Sequence, residues 1–174
     1  MDAVVTSPPY LNAIDYMRGH KLSLVWLGFT VSELSRIRST SVGAERAPDD
    51  EASKEAWAEC ENAVGDLHKL PPRYRHMVRR YVDDVMKVLS EIARTLKDEG
   101  VATMVVGDSA LRGVFIRNSA AVRKCAELAG LRLLSERRRH LPPSRRYLPP
   151  PKAKSRVGIN ARLRTESVMT FAKT

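Results

Sequence analysis

The chain lacks several features that would announce a chemistry. It has two cysteines, Cys60 and Cys125, far apart and without metal-ligand spacing, which argues against a disulfide framework and against a zinc site. Its nine glycines, at positions 19, 28, 43, 65, 100, 107, 113, 130 and 158, never stand one residue apart, so no G-x-G occurs anywhere. A glycine-rich cofactor turn of that kind is therefore missing. No apolar run approaches the roughly 18 residues that span a bilayer. The first ten residues hold an acid and two prolines in place of a signal peptide, so a cytoplasmic protein without a membrane segment is expected.

What is present is ordinary in amount and unusual in placement. At 174 residues, 43% hydrophobic and 29% charged, the chain is large enough for one globular domain, 1–174, and is not of disordered or collagen-like composition. The formal net charge is +10, and nine Arg and two Lys against Glu136 alone place all of it between Leu131 and Arg164. The rest of the chain is balanced. A basic segment that also carries Tyr147 and several prolines suits a polyanion, most simply nucleic acid, although a solvated loop has the same composition.

Hydrophobic patterning predicts an α/β protein. Asp2 to Thr6 is a short β-branched run cut off by Ser7-Pro8-Pro9, a strand that ends abruptly. Leu11 to Leu27 suggests helix bent near Gly19 and ended at Gly28, and Val31 to Ile37 a second short helix. Residues 38–70 form a mobile insertion in this reading, with a short helix around Trp57. After Pro71-Pro72, the positions Val78, Val82, Val85, Leu89, Ile92 and Leu96 make the clearest helical stripe, with Gly100 as the stop. Val101 to Val106 is continuously apolar, as in a strand covered on both faces, and Gly107-Asp108-Ser109 is a turn. Asn118 is a candidate N-cap for a helix through Ala129, and Leu131 to Arg137 reads as another strand. Strand, helix and strand with short joins predict parallel pairing. Residues 138–164 form a basic Pro/Arg-rich loop, and Glu166 to Ala172 closes the chain as a last strand.

Catalytic groups of such sheets lie just beyond the carboxyl ends of strands, which points to Ser7-Pro8-Pro9-Tyr10. A small polar residue, two prolines and an aromatic directly follow the first strand. The run Asp-Ala-Val-Val-Thr-Ser-Pro-Pro-Tyr-Leu-Asn, with Asp15-Tyr16 and Trp26-Leu27-Gly28 behind it, resembles the catalytic motif of the amino-group DNA methyltransferases. That family methylates cytosine N4 or adenine N6 with S-adenosylmethionine. The resemblance implies a partial Rossmann-like methyltransferase fold, a mixed sheet with a closing antiparallel strand, and a role in restriction-modification. Serine at the first motif position resembles the N4-cytosine enzymes more often than the N6-adenine ones. Enzymes that methylate RNA or protein glutamine through a similar motif usually carry Asn or Asp where this chain has Ser7.

The chemistry accounts for these residue types on its own terms. An exocyclic amino group has its lone pair delocalised into the ring, so the enzyme must accept hydrogen bonds from it and hold it in line for transfer. Ser7 Oγ and a carbonyl of the Ser7-Pro8 stretch are suitable acceptors, and Pro8 and Pro9 stiffen the backbone that presents them. Tyr10 can stack on a base taken out of the duplex. Neither cysteine follows a proline, which argues against C5-cytosine chemistry. Arg137, Arg138, Arg139, Arg145 and Arg146 are candidate phosphate contacts that fix register without reading sequence. Asp108 reads as a turn or capping residue, His20 as a packed or surface histidine, and Trp57 as packing. With no glycine turn for S-adenosylmethionine, the expectation is a catalytic half whose cofactor side comes from a second chain or another segment. A non-catalytic DNA-binding remnant of the same fold is the competing expectation.

Overall fold

The computed structural model describes residues 1–11, 19–39, 42, 54–141 and 165–174. Its elements in chain order are β1 (Ala3–Thr6), α1 (Lys21–Trp26), α2 (Val31–Ser39), α3 (Lys54–Val64), a 3-10 turn (Leu67–Lys69), α4 (Pro72–Thr95), β2 (Val101–Gly107), β3 (Ser109–Leu111), β4 (Val114–Ile116), α5 (Asn118–Leu128), β5 (Leu131–His140) and β6 (Thr165–Lys173).

The long helix α4 forms as its periodicity predicts. Pro72 occupies the first helical turn, where the missing N–H costs nothing. Val78, Val82, Val85, Leu89, Ile92 and Leu96 are all buried in the core. The helix stops earlier than Gly100, because Leu96 already turns to extended backbone (φ −72°, ψ 137°). Gly100 closes the turn that follows, its N–H donating to the Lys97 carbonyl (2.9 Å). That turn also receives the chain start: Lys97 N–H donates to the Met1 carbonyl (2.9 Å) and Val101 N–H to that of Asp2 (3.1 Å). These bonds set β1 parallel to β2, with Ala3 opposite Val101 and Thr6 opposite Met104.

The main sheet is mixed, in the order β1-β2-β6-β5. Strand β6 runs antiparallel to both β2 and β5, so the closing antiparallel strand is where the resemblance puts it. The parallel pairing expected across α5 is not made. Strands β2 and β5 do point the same way, but β6 is inserted between them, a long-range pairing that no local pattern encodes.

Among the described residues, helices pack on one face of this sheet. Ala102, Met104 and Val106 of β2, with Met169 and Phe171 of β6, point towards α4 and α5 and are buried. The alternate residues Val101, Thr103, Val105, Val168 and Thr170 are half-buried, which corrects the expectation of a β2 strand covered on both faces. Val5 of the edge strand β1 is 80% exposed.

Helices α3, α4 and α5 form the covering layer. Cys60, Val64, Leu67 and Leu70 are buried in the shared core, so residues 54–70 belong to the domain and are not an insertion from it. Trp57 packs against the same core, partly buried. Cys60 and Cys125 meet inside it, Sγ to Sγ 3.8 Å, as free thiols. Gly65 is required here, since a side chain would meet the Phe115 carbonyl at 2.5 Å. Opposite it, β3 and β4 form a hairpin whose two turn residues, Arg112 (φ 51°) and Gly113 (φ 84°), are both left-handed, the backbone of a tight two-residue turn.

Candidate active site

Strand β1 delivers Ser7-Pro8-Pro9-Tyr10 to the carboxyl end of the parallel β1–β2 pair, the place where such sheets carry ligands. Ser7 Oγ donates to the Val105 carbonyl of β2 (3.1 Å). It also lies 3.4 Å from the Tyr10 hydroxyl. Tyr10 in turn donates to Oε1 of Glu166 on β6 (3.1 Å). Since these donors are spent on Val105 and Glu166, the lone pairs of Ser7 Oγ remain for an incoming N–H. Ser7 is exposed, so an acceptor is presented to solvent at the strand end.

The Glu166 carboxylate is divided between two partners. Its Oε2 accepts from Arg139 Nε (2.8 Å) and Nη2 (2.7 Å), while Oε1 takes Tyr10. Arg139 and Glu166 are directly opposite in the β5–β6 ladder, so the ion pair follows from strand register. Burial raises the pKa of Tyr10 above the ordinary tyrosine value; the Ser7 hydrogen bond opposes this, the Glu166 charge adds to it and Arg139 lowers it. The phenol therefore stays protonated and able to donate at neutral pH.

At the end of β2, Asp108 Oδ1 accepts from the N–H (3.0 Å) and hydroxyl (2.8 Å) of Ser119. It caps α5 from the position just beyond β2, in keeping with a capping role for Asp108. Asn118 is the first helical residue and not the N-cap, which is Arg117. Its Nδ2 donates to the Gly107 carbonyl (2.9 Å) and to Ser109 Oγ (3.2 Å), tying α5 to the strand end.

Behind the motif, on the helix side, lies a cavity of about 140 Å³ lined by Thr6, Pro8, Pro9, Met104 and apolar residues of α4 and α5. Ser7 and Tyr10 are not among its walls. The groups that could hold an amino group thus face away from this apolar space.

No family model matches the chain, and no curated protein does. Among solved structures it matches TTHA0409 from Thermus thermophilus, described as a proposed DNA modification methylase, at 22% identity and a TM-score of 0.41. The match covers 59% of this chain and 41% of that one. At that level it carries no statement about activity.

The remaining candidates divide. Arg137, Arg138 and Arg139 lie on β5, extended strand and not loop, and all three are exposed. Arg137 shares the open face with Val168, whereas Arg138 is opposite Ser167 on the other face. Arg145 and Arg146 fall outside the described residues, as do most of the loop 138–164 and residues 12–18 of the first expected helix. His20 is exposed beside α1. Sequence reasoning missed Glu166 as a site residue; the available signal was the single acid of the last strand, near its start.

The described residues do not fit an S-adenosylmethionine cradle. The sequence has no G-x-G, and Asp108, the carboxylate at the end of β2, is engaged by Ser119. Among the described residues, no three His, Cys, Asp or Glu lie together as a metal site, and no helix is long and apolar enough to cross a membrane.

Proposed function

We propose that this chain is the base-handling portion of an S-adenosylmethionine-dependent DNA methyltransferase that modifies an exocyclic amino group, cytosine N4 in preference to adenine N6. The observation that supports it most is the placing of Ser7: its hydroxyl donates to the Val105 carbonyl, and its side chain is exposed at the strand end, where the oxygen can accept from an incoming N–H. An amino group donating to Ser7 Oγ and to a carbonyl of the Ser7-Pro8 stretch would be drawn towards tetrahedral geometry, which restores its lone pair. The ring of Tyr10 would stack on the extruded base, worth about 1–3 kcal/mol by comparison with other base–aromatic contacts. The exposed Arg137 and Arg138 would hold phosphates, with Arg145 and Arg146 proposed for the same task.

The methyl donor needs a site that these residues do not form. A second chain or further segment is proposed to supply it, and the exposed edge strand β1, with Val5 bare, is a natural place for further strands to join. A cytoplasmic location is part of the same proposal.

The alternative, a DNA-binding protein without catalysis, separates from this reading in one experiment. In the complete enzyme, Ser7→Ala with Tyr10→Ala should abolish methyl transfer while most of the salt-dependent binding to duplex DNA persists. Unchanged transfer, or equal loss of both, would reject the assignment of the motif.

A further inference from the structure

The Ser-Pro-Pro-Tyr motif and the basic strand are separate features in the sequence, yet in the fold a single buried carboxylate joins them. Glu166 is 9% exposed. It accepts from Tyr10 with one oxygen and from Arg139 with the other. The cross-strand register holds Arg139 opposite it. A nearly buried carboxylate needs such partners, since an unpaired charge in that position is costly.

We propose that Glu166 is a positioning residue: it anchors the Tyr10 hydroxyl so that the ring is held at the strand end, and Arg139 serves Glu166 and is not a phosphate contact. This rests on the reading of Tyr10 as the stacking residue of a base site. Two consequences follow. First, the ring plane of Tyr10 depends on a residue 156 positions away in sequence. Second, the three arginines Arg137, Arg138 and Arg139 are unequal. Arg139 has two short bonds to Glu166, so charge removal there acts through Tyr10, whereas removal at Arg137 takes away a proposed phosphate contact and leaves Tyr10 untouched.

The chemistry around Tyr10 gives a signature that a merely structural role would not. The Glu166 charge raises the pKa of the Tyr10 hydroxyl and Arg139 lowers it. In the full chain carrying tyrosine labelled with carbon-13 at the ζ position, the Tyr10 resonance is assigned by Tyr10→Phe. Its alkaline titration should move down in Glu166→Gln, which keeps shape and hydrogen-bonding capacity, and up in Arg139→Met. A Tyr10 titration that is the same in wild type, Glu166→Gln and Arg139→Met would overturn the proposal.

A second measurement uses single-stranded DNA containing 2-aminopurine, whose fluorescence is quenched on stacking. Tyr10→Phe and Glu166→Ala should each weaken the quenched complex by about tenfold, the usual size for a hydrogen bond to a charged group. The double variant should be no weaker than either single one. Additive losses would also overturn the proposal. If wild-type protein gives no quenching while the titration shifts hold, the positioning of Tyr10 by Glu166 stands and the base-site reading falls. Arg137→Met provides the control: weaker binding at low salt with the Tyr10 titration unchanged.

Discussion

The two faces of the central sheet are made by the same strands and have opposite characters. Towards α4 and α5, Ala102, Met104, Val106, Met169 and Phe171 are closed off from water. On the other face Val101, Thr103, Val105, Val168 and Thr170 are only half-buried, with Thr103 and Thr170 sharing a hydroxyl hydrogen bond of 3.1 Å. The helix-covered face is a closed core, and the other face is half-exposed among the described residues. The candidate site stands at the rim between them, with Glu166 in the same strand alternation as Val168 and Thr170 on the open side. This difference separates residues that hold the fold from residues proposed to serve the chemistry.

Substitutions can break that contrast. Phe171→Ala on the closed face should cost about 3–5 kcal/mol in chemical denaturation, since it empties a packed site. In the complete enzyme, Ser7→Ala should lower turnover by about 10²-fold, comparable to losing one donor or acceptor of a preorganised site. Stability should fall by no more than about 1 kcal/mol, because the side chain is exposed and loses one hydrogen bond, that to the Val105 carbonyl. Replacing both Arg137 and Arg138 by Met should lessen the slope of log affinity for duplex DNA against log salt by about 2, if each neutralises one phosphate. Smallest of all, Val5→Thr on the open edge should change the stability of the chain by less than about 0.5 kcal/mol. A large loss there would mean that the open side is structural after all.

Legibility in the sequence followed the range of the interactions. The α4 stripe was readable because the contacts that make a helix are local and the period is repeated along its whole length. The motif was readable because a strand, two prolines and an aromatic are contiguous. The insertion of β6 between β2 and β5 was not, since strand order is decided by pairing across the chain. Nor was the role of Glu166, whose partners lie 27 and 156 residues away. Arg139 looked equivalent to its neighbours until register placed a carboxylate opposite it. The expected mobile insertion gave way at residues 54–70 because Cys60, Val64, Leu67 and Leu70 are core residues, an apolar pattern too short to stand out among the polar residues around it.

The pKa of Tyr10 adds a pH dependence with a definite sign. A phenol whose folded-state pKa is raised favours the folded chain below its ordinary value of 10.0, and that contribution is lost as pH rises through the raised value. Base stacking by Tyr10 should therefore be insensitive to pH from about 6 to about 9, and a fall in that window would assign the titration to another group.

The most direct test is made in the cell that contains the whole enzyme. Genomic DNA from wild-type cells and from cells carrying Ser7→Ala at the chromosomal locus is digested to nucleosides and measured by mass spectrometry. The expected result is N4-methylcytosine in the wild type and its loss in the variant. N6-methyladenine alone lost in the variant would contradict the choice of base, and an identical set of methylated nucleosides in the two strains would contradict the assignment of Ser7-Pro8-Pro9-Tyr10 as a methyl-transfer site.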